Sequence, residues 1–422
     1  MSLVVVGAGF SGLAAARVFL DAGVEFRLFE AESGPGGLLR TDIAGAFSFD
    51  RAGHFLHFQT ETFEQILKHL HVPMTVVSRR SAILIGRRIV PYPLQFNLHA
   101  APAELRDAAL ADLAAGRIGR VGADDYATLL LKAWGPALYE AFFRPYNEKL
   151  WARPLCDLPS DCGARFLPQP NKDLLLKGAA GPIGQYGYNA EFAYPSSGRV
   201  GDLAFAMASP LEHAIEYEAR INSIDLTRQR IRFGQEWVDY KKLIFTGPLS
   251  QVCELTGLSG PPLVYSRVLN LRIGFRGRMR INDHWLYVPD EAVSFFRVGF
   301  PSNVDSRTCP PGCASMSLEY GLDETQDTPD IDRSVATAVG YFADLGIIDC
   351  EAVEEISVHL ISPAYVADRN VGQRGFAPII GQLAQANIMM AGRFGSWDYF
   401  SAEDAYFDGA RAANAALAGV IS

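Results

Sequence analysis

Two sets of residues in this chain have types and spacings suited to chemistry. The first is Gly7-Ala8-Gly9-Phe10-Ser11-Gly12, a G-x-G-x-x-G turn followed eighteen positions later by Glu30. Glycine at the first position allows a tight turn and at the second lets a pyrophosphate approach the backbone. At the third it lets a helix pack closely on a strand, so that the helix N-terminus faces the phosphates. A carboxylate at Glu30 can then accept a hydrogen bond from a ribose hydroxyl. The second set is Arg165 and Arg297, each in an apolar neighbourhood where a buried charge requires an anion. The chemistry indicated is dinucleotide binding next to an anionic ligand.

The elements that must position these residues are legible around them. Leu3-Val4-Val5-Val6 is a β-branched strand entering the turn, Leu13 to Leu20 a helix leaving it, and Glu25 to Phe29 a second strand ending at Glu30. Phe47 to Phe58 reads as a strand edge turning through Gly53, where His54 taken alone is structural. Helical spacing follows from Thr60 to Leu70, and Thr75 to Val90 alternates as two short strands. Pro91 and Pro93 fix an extended backbone that displays Tyr92 and Gln95. Pro102 to Leu150 is helix-rich, with one helix over Asp124 to Phe143, and its exit to Ala152 is dense in aromatic and amide residues, Asn147 and Trp151 among them. Lys177 to Tyr188 reads as a glycine-rich mobile loop. Leu263 to Phe275 and Trp285 to Pro301 are β-rich, Ile331 to Leu345 is helical, and a strand runs through Glu355 to Ile361. The chain closes with a strand, a glycine turn at Gly392-Arg393-Phe394-Gly395 and a helix over Ala402 to Leu417.

Composition sets outer bounds. The 422 residues suffice for a large core and favour about two or three domains. An apolar fraction of 49% against 20% charged residues indicates a globular, soluble chain, and a net charge of −9 offers no general attraction to nucleic acid or an anionic membrane. The six cysteines are scattered, and Cys309-Pro-Pro-Gly-Cys313 lacks the spacing of a zinc site, so no metal is expected and the thiols are read as reduced. The first strand begins at residue 3, which leaves no room for a signal peptide, and no apolar run reaches eighteen residues, so no membrane span is expected. The cytoplasm is the expected compartment. No repeat or charge block suggests a protein partner, and the oligomeric state is not legible.

Gly34-Pro35-Gly36-Gly37-Leu38-Leu39-Arg40-Thr41 resembles the second phosphate-side motif of the two-dinucleotide-binding-domain flavoproteins. The resemblance implies an α/β fold: a Rossmann-like FAD-binding domain with an inserted helical domain and an antiparallel β-sheet substrate domain. It implies FAD held by Gly7, Gly9, Phe10, Ser11, Gly12, Glu30, Gly37, Leu38 and Arg40, with Gly392, Arg393 and Asp404 of the C-terminal turn and helix. Across nearly the whole chain, further words resemble the UDP-galactopyranose mutase family. They are Gly53-His54, Pro91-Tyr92-Pro93-Leu94-Gln95, Pro145-Tyr146-Asn147 with Trp151, Arg165, and Asn189 before Phe192-Ala193-Tyr194-Pro195. Trp285-Leu286-Tyr287, Phe296-Arg297, Tyr365 and Gly392-Arg393-Phe394-Gly395-Ser396-Trp397-Asp398-Tyr399 complete the set, the last closest to the eukaryotic-type form.

That resemblance implies an isomerase interconverting UDP-galactopyranose and UDP-galactofuranose through a reduced-flavin N5 sugar adduct, without net redox change. Arg165 and Arg297 would grip the departing diphosphate with bidentate forks, and Tyr287, Tyr365 and Tyr399 would donate to the same phosphates. Tyr92 and Gln95 would lie near the nucleobase, Asn147, Trp151 and Asn189 near the sugar and nucleotide, and His54 against the isoalloxazine. The implied domains are residues 1–76, 193–262 and 372–422 for FAD, 98–192 for the helical part, and 77–97 with 263–371 for the substrate sheet. Asp398 departs from the family, standing where eukaryotic-type members carry a basic residue. The competing readings are a redox enzyme of the amine oxidase or protoporphyrinogen oxidase type, which shares this FAD domain, and a flavin-binding scaffold without catalysis.

Overall fold

The computed structural model describes residues 2–53, 55–119, 122–163, 168–183 and 190–421. Ser2–Val6 is the middle of a seven-stranded sheet. It pairs in parallel with Phe26–Phe29 on one side and with the end of Glu236–Phe245 on the other. Ile215–Glu216 extends the sheet beyond Phe26–Phe29, and Ile388–Met390 pairs in parallel with Glu236–Phe245. The other half of Glu236–Phe245 turns antiparallel to Arg230–Phe233, which pairs with Ile221–Asp225. Parallel strands bury both faces, and the run Leu3-Val4-Val5 is accordingly buried throughout. Leu3 and Val5 face a core built with Phe10–Asp21 and Ala402–Ile421, and Val4 faces one containing Val252, Phe376 and Leu383 from Leu249–Thr256 and Arg369–Gln385. The first and last long helices lie so close that a Cβ on Gly409 would collide with the Ser11 carbonyl.

A second seven-stranded sheet runs in the order Ile348–Val366, Tyr265–Met279, Cys313–Leu322, Arg297–Gly299, Trp285–Tyr287, Ser81–Ile85, Arg88–Pro91. All its pairings are antiparallel except Trp285–Tyr287 with Ser81–Ile85. One face packs on Ile331–Asp344 through Val335, Ala338 and Phe342. In Cys313–Leu322, the alternation of a strand sends Ala314, Met316, Leu318 and Tyr320 into that core. Ser315, Ser317 and Glu319 therefore fall on the opposite face. A helical layer of Ala103–Ala114, Tyr126–Leu138, Arg144–Trp151 and Lys172–Ala180 closes a third core around Phe96, Trp134 and Phe143.

Several local expectations change. The helix expected to reach Phe143 is broken at Gly135 (φ 78°, ψ 164°), resumes through Leu138 and continues as a π turn over Tyr139–Phe143. Gly135-Pro136 breaks the helical hydrogen-bond ladder, and the buried Asp112 carboxylate accepts the Ala137 N–H at 2.7 Å instead. The expected loop from Lys177 is a helix at its start, Lys172–Ala180, capped by the Asn171 side chain accepting from the Leu174 N–H at 3.0 Å. Its Gly178 serves close packing, because a Cβ there would strike the Phe96 backbone. Thr75 to Val90 contains three strands rather than two, and the first of them, Met74–Ser78, pairs with Glu191–Pro195 outside the large sheet. The strand through Glu355 is the middle of nineteen residues, Ile348–Val366, and the helix Arg369–Gln385 had no counterpart in the sequence reading.

Candidate active site

Between the two sheets lies a cavity of about 900 Å³. On its nucleotide side, Gly7 takes φ 98°, and a Cβ on Gly12 would collide with the Gly7 carbonyl. Strand, turn and helix are therefore fused as tightly as the glycine spacing requires. The helix Phe10–Asp21 starts at Gly9 with no side-chain cap and no acidic residue in its first turn. Its leading N–H groups are thus left to whatever occupies the cavity, which Gly9, Phe10 and Ser11 line. Gly36, at φ 122°, donates its N–H to the Ala8 carbonyl at 2.9 Å and brings Gly37 and Leu38 to the same wall. Glu30 also lines the cavity, its carboxylate accepting from the Ala8 N–H at 2.6 Å and the Glu32 N–H at 2.9 Å. Burial raises its pKa, against the lowering effect of those two hydrogen bonds. Gly392 and Arg393 complete this side.

Arg40 and Asp404 are not brought to the cavity wall. Arg40 donates to Glu32 at 2.9 Å and to Ser33 and Gly34, so it ties down the loop that carries the glycine pair. Asp404 accepts from the Ser401 N–H and hydroxyl, both at 2.8 Å, at the start of the last helix. The neighbouring Glu403 lines the cavity instead and holds the Gln59 N–H at 2.7 Å and the Thr60 hydroxyl at 2.6 Å.

The opposite wall carries Tyr287, Arg297, Tyr365 and Tyr399. Tyr365 and Tyr399 stack with centroids 5.7 Å apart, and the Arg393 guanidinium sits 4.2 Å from the Tyr399 ring centroid. Arg393 donates to the carbonyls of Phe400 and Ala364 at 3.0 and 2.9 Å. Tyr287 lies between Tyr92, at 5.2 Å, and Tyr146, at 5.4 Å. Burial holds the phenols of Tyr146 and Tyr365 well above their ordinary pKa, so both stay protonated and able to donate.

Arg297 corrects the argument that led to it. Its expected anion is already present in the protein. Glu319, one strand over, accepts from Nε at 3.0 Å and from Nη2 at 2.7 Å on each carboxylate oxygen. Of the five N–H donors of a guanidinium, these three bonds leave the two on Nη1, so Arg297 has no complete fork for a ligand. Nothing singled out Glu319, although the alternation of Ser315, Ser317 and Glu319 with Met316, Leu318 and Tyr320 was available to do so.

The residues assigned to nucleobase and sugar separate. Tyr92 does not line the cavity; its ring is tilted against that of Tyr287, with the Arg79 guanidinium 4.9 Å from its centroid. Gln95 is not displayed: it is 2% exposed, in the short helical turn Leu94–Phe96. Asn147 is spent within the helical layer, donating to the Phe143 carbonyl at 2.6 Å, and Trp151 packs on the Tyr365 edge at 5.9 Å as a core residue. His54, Arg165 and Asn189 lie outside the described residues. Asp398 accepts from Arg369 Nη1 at 3.3 Å and from the Tyr399 N–H at 2.7 Å, so a cation offsets its charge.

Lys149, from the helix Arg144–Trp151, is a further determinant that the sequence reading passed over. Its ammonium donates to the carbonyls of Val288, Asp290, Val293 and Phe295 at 2.7 to 3.0 Å. Those residues form the connection between the strands that carry Tyr287 and Arg297. Burial lowers the pKa of this amine to about 7, whereas the four carbonyls favour its charged form.

The glycine turn at the carboxyl end of a parallel sheet is a Rossmann-like arrangement, and residues 5–70 match the family described as NAD(P)-binding Rossmann-like domain. Among curated proteins, the chain is similar to a Klebsiella pneumoniae protein described as a probable UDP-galactopyranose mutase, 24% identical over 266 residues. That match spans 59% of this chain and 60% of the relative, less than two thirds of its length. A crystal structure of reduced UDP-galactopyranose mutase superposes with a TM-score of 0.90 at 24% identity, covering 99% of this chain and 95% of that one. A structure from Exiguobacterium sp. 255-15 named for protoporphyrinogen oxidase follows at 0.73 and 18%, covering 99% of each chain. The chain therefore has the fold of that mutase structure. No helix among the described residues is long and apolar enough to cross a membrane.

Proposed function

We propose that this chain is an FAD-dependent sugar-nucleotide mutase that interconverts UDP-galactopyranose and UDP-galactofuranose, or a close nucleotide-sugar analogue, with its flavin reduced. The observation that carries the reading is a single cavity with the glycine turn at one side and Arg297 with three tyrosines at the other. The uncapped helix N-terminus at Gly9, Phe10 and Ser11 would take the pyrophosphate of FAD, Glu30 a ribose hydroxyl, and Gly37, Leu38, Gly392 and Arg393 the rest of the extended cofactor. Held there in its reduced form, the flavin would supply a nucleophilic electron pair for chemistry at an anomeric carbon without net redox change.

This chain's residues then meet the demand of the departing diphosphate. The phenol hydroxyls of Tyr287, Tyr365 and Tyr399 donate to it, and the two Nη1 hydrogens of Arg297 that Glu319 does not engage add charge-assisted bonds. Glu319 holds that guanidinium in place and moderates its charge, so the diphosphate is held loosely enough to be recaptured by the isomerised sugar. Arg165 stands as a second guanidinium on the strength of the resemblance. The decisive assay is anaerobic reduction with dithionite followed by UDP-galactofuranose. Formation of the pyranose isomer in the reduced state alone is expected. Turnover of an amine or porphyrinogen by the oxidised protein, with oxygen uptake, would replace this reading with the oxidase one.

A further inference from the structure

The connection between the strands of Tyr287 and Arg297 is built around the side chain of Lys149. The helix that carries Lys149 is fixed against the strand of Glu319, since a Cβ on Gly321 would collide with the Lys149 carbonyl. Three positions earlier, the Tyr146 ring meets Tyr287 at 5.4 Å and Phe296 at 5.9 Å, one at each end of the connection. From this fixed backbone Lys149 Nζ reaches the carbonyls of Val288, Asp290, Val293 and Phe295, at 2.7, 2.7, 2.9 and 3.0 Å. Val288, Val293 and Phe295 are buried.

Four carbonyl dipoles aimed at one point repel one another unless a positive charge lies between them. A water molecule or a neutral amine would donate only two hydrogen bonds there, whereas a cation attracts all four oxygens. Rings of backbone carbonyls replace the hydration shell of a monovalent ion in the same way. Burial lowers the pKa of the Lys149 amine to about 7, while Asp290 and Glu291 raise it, and hydrogen bonds to the charged form act in the same direction as those acids. Both acids are themselves held: Asp290 accepts from the Tyr341 hydroxyl at 2.7 Å, and Glu291 pairs with Arg144 at 3.4 Å.

We propose that these four carbonyls form a cage for a compact monovalent cation, that the Lys149 ammonium is its tethered occupant, and that an occupied cage keeps Tyr287 and Arg297 together at the cavity wall for diphosphate binding. Lys149 is thereby a positioning residue: it acts on the ligand only through the two side chains at the ends of the connection. The diphosphate part rests on the proposed function, and the cage itself does not. A cage of this kind is selective by shape. Arginine carries the same charge on a planar fork and cannot place it at the meeting point of four oxygens, whereas free ammonium or potassium can.

The test is chemical rescue of Lys149→Ala in the full chain with its cofactor, followed by melting curves and UDP calorimetry in choline, potassium or ammonium chloride at equal ionic strength. In choline the variant should melt below the natural protein and bind UDP about tenfold more weakly, the loss of one charge-assisted hydrogen bond. Ammonium or potassium should restore both, the natural protein should not distinguish the salts, and Lys149→Arg should stay defective in all of them. A lysine that merely fills space would give a variant blind to the choice of cation. That result, undiminished UDP binding by Lys149→Ala in choline, or a variant that fails to fold whatever the salt would overturn the proposal. A second measurement uses the natural protein: side-chain nitrogen NMR at about pH 8 should show the Lys149 amine charged and protected from solvent exchange, and a neutral or freely exchanging amine would overturn the cage. If the natural protein binds no UDP, the proposed function fails together with the diphosphate part, and the melting curves and NMR still decide the cage.

Discussion

Replacing Glu319 with Gln separates the two roles that the structure gives this carboxylate. Glu319 receives three hydrogen bonds from Arg297 and is 6% exposed. Removing one partner of a buried ion pair costs about 3–5 kcal/mol, because the other charge is left uncompensated. Gln keeps one acceptor oxygen, so the lower end of that range, about 3 kcal/mol, applies to the ligand-free protein. Nucleotide diphosphate should reverse part of the loss. In the variant Arg297 regains a complete fork, and a charge-assisted bond contributes about 1.5–3 kcal/mol, which corresponds to at least a tenfold gain in affinity. Urea unfolding with and without UDP, alongside titration calorimetry, reads both quantities. Lower stability with tighter UDP binding is the expected pair of results. An unchanged unfolding midpoint, or UDP affinity that falls as it would for Arg297→Ala, would refute the account of Glu319 as an internal competitor for the guanidinium.

Three further outcomes follow from the same geometry. Gly12→Ala should lower the melting temperature and weaken flavin retention on gel filtration, since its Cβ meets the Gly7 carbonyl and overpacking of this kind costs about 1–3 kcal/mol. Tyr365→Phe should weaken UDP binding by about 1 kcal/mol, the value of one hydrogen bond, while leaving thermal stability within error; calorimetry and melting curves check this. Asp50→Asn should gain stability relative to the natural protein as pH rises. The folded pKa of about 6 lies above the ordinary carboxyl value of 3.8, so the protonated form favours folding at low pH and that contribution is lost on passing upward through pH 6. About two pH units at 1.36 kcal/mol each give roughly 3 kcal/mol between pH 4 and 7, measurable as the difference between two denaturation series.

The nucleotide-binding half was readable because local rules and global packing agree there. A β-branched run, three spaced glycines and an acid at the next strand end fit one arrangement, and in the structure Gly7 turns at positive φ, Gly12 packs under the Gly7 carbonyl and Glu30 stands at the cavity wall. The opposite wall was legible only in part. Tyr287, Arg297, Tyr365 and Tyr399 come from separate strands and loops, and no local pattern says that their side chains meet; the resemblance supplied that. Arg297 shows the limit of arguing from one residue: the requirement for an anion was sound, but a partner twenty-two positions away met it. Gln95, expected on display, is buried, and Asn147 and Trp151 sit within the helical layer itself; polar type alone does not separate a ligand contact from a hydrogen bond to the residue one turn back. The helix Arg369–Gln385, with Gly372, Gly375 and Pro378 in its sequence, conceals itself from propensity rules and is held by the core beneath it.

The grip of Lys149 on four carbonyls makes the helical layer more than a cover. An ammonium has three hydrogens, so four oxygens must share them, and the shape of the connection from Val288 to Phe295 is moulded around a single atom that belongs to a different part of the chain. Any motion that pries the helices off the sheet also unstitches the hairpin bearing Tyr287 and Arg297. A chimaera that borrowed its helices from a relative would need to import a cation at the same spot, or build its reactive surface on a frame with the pin withdrawn.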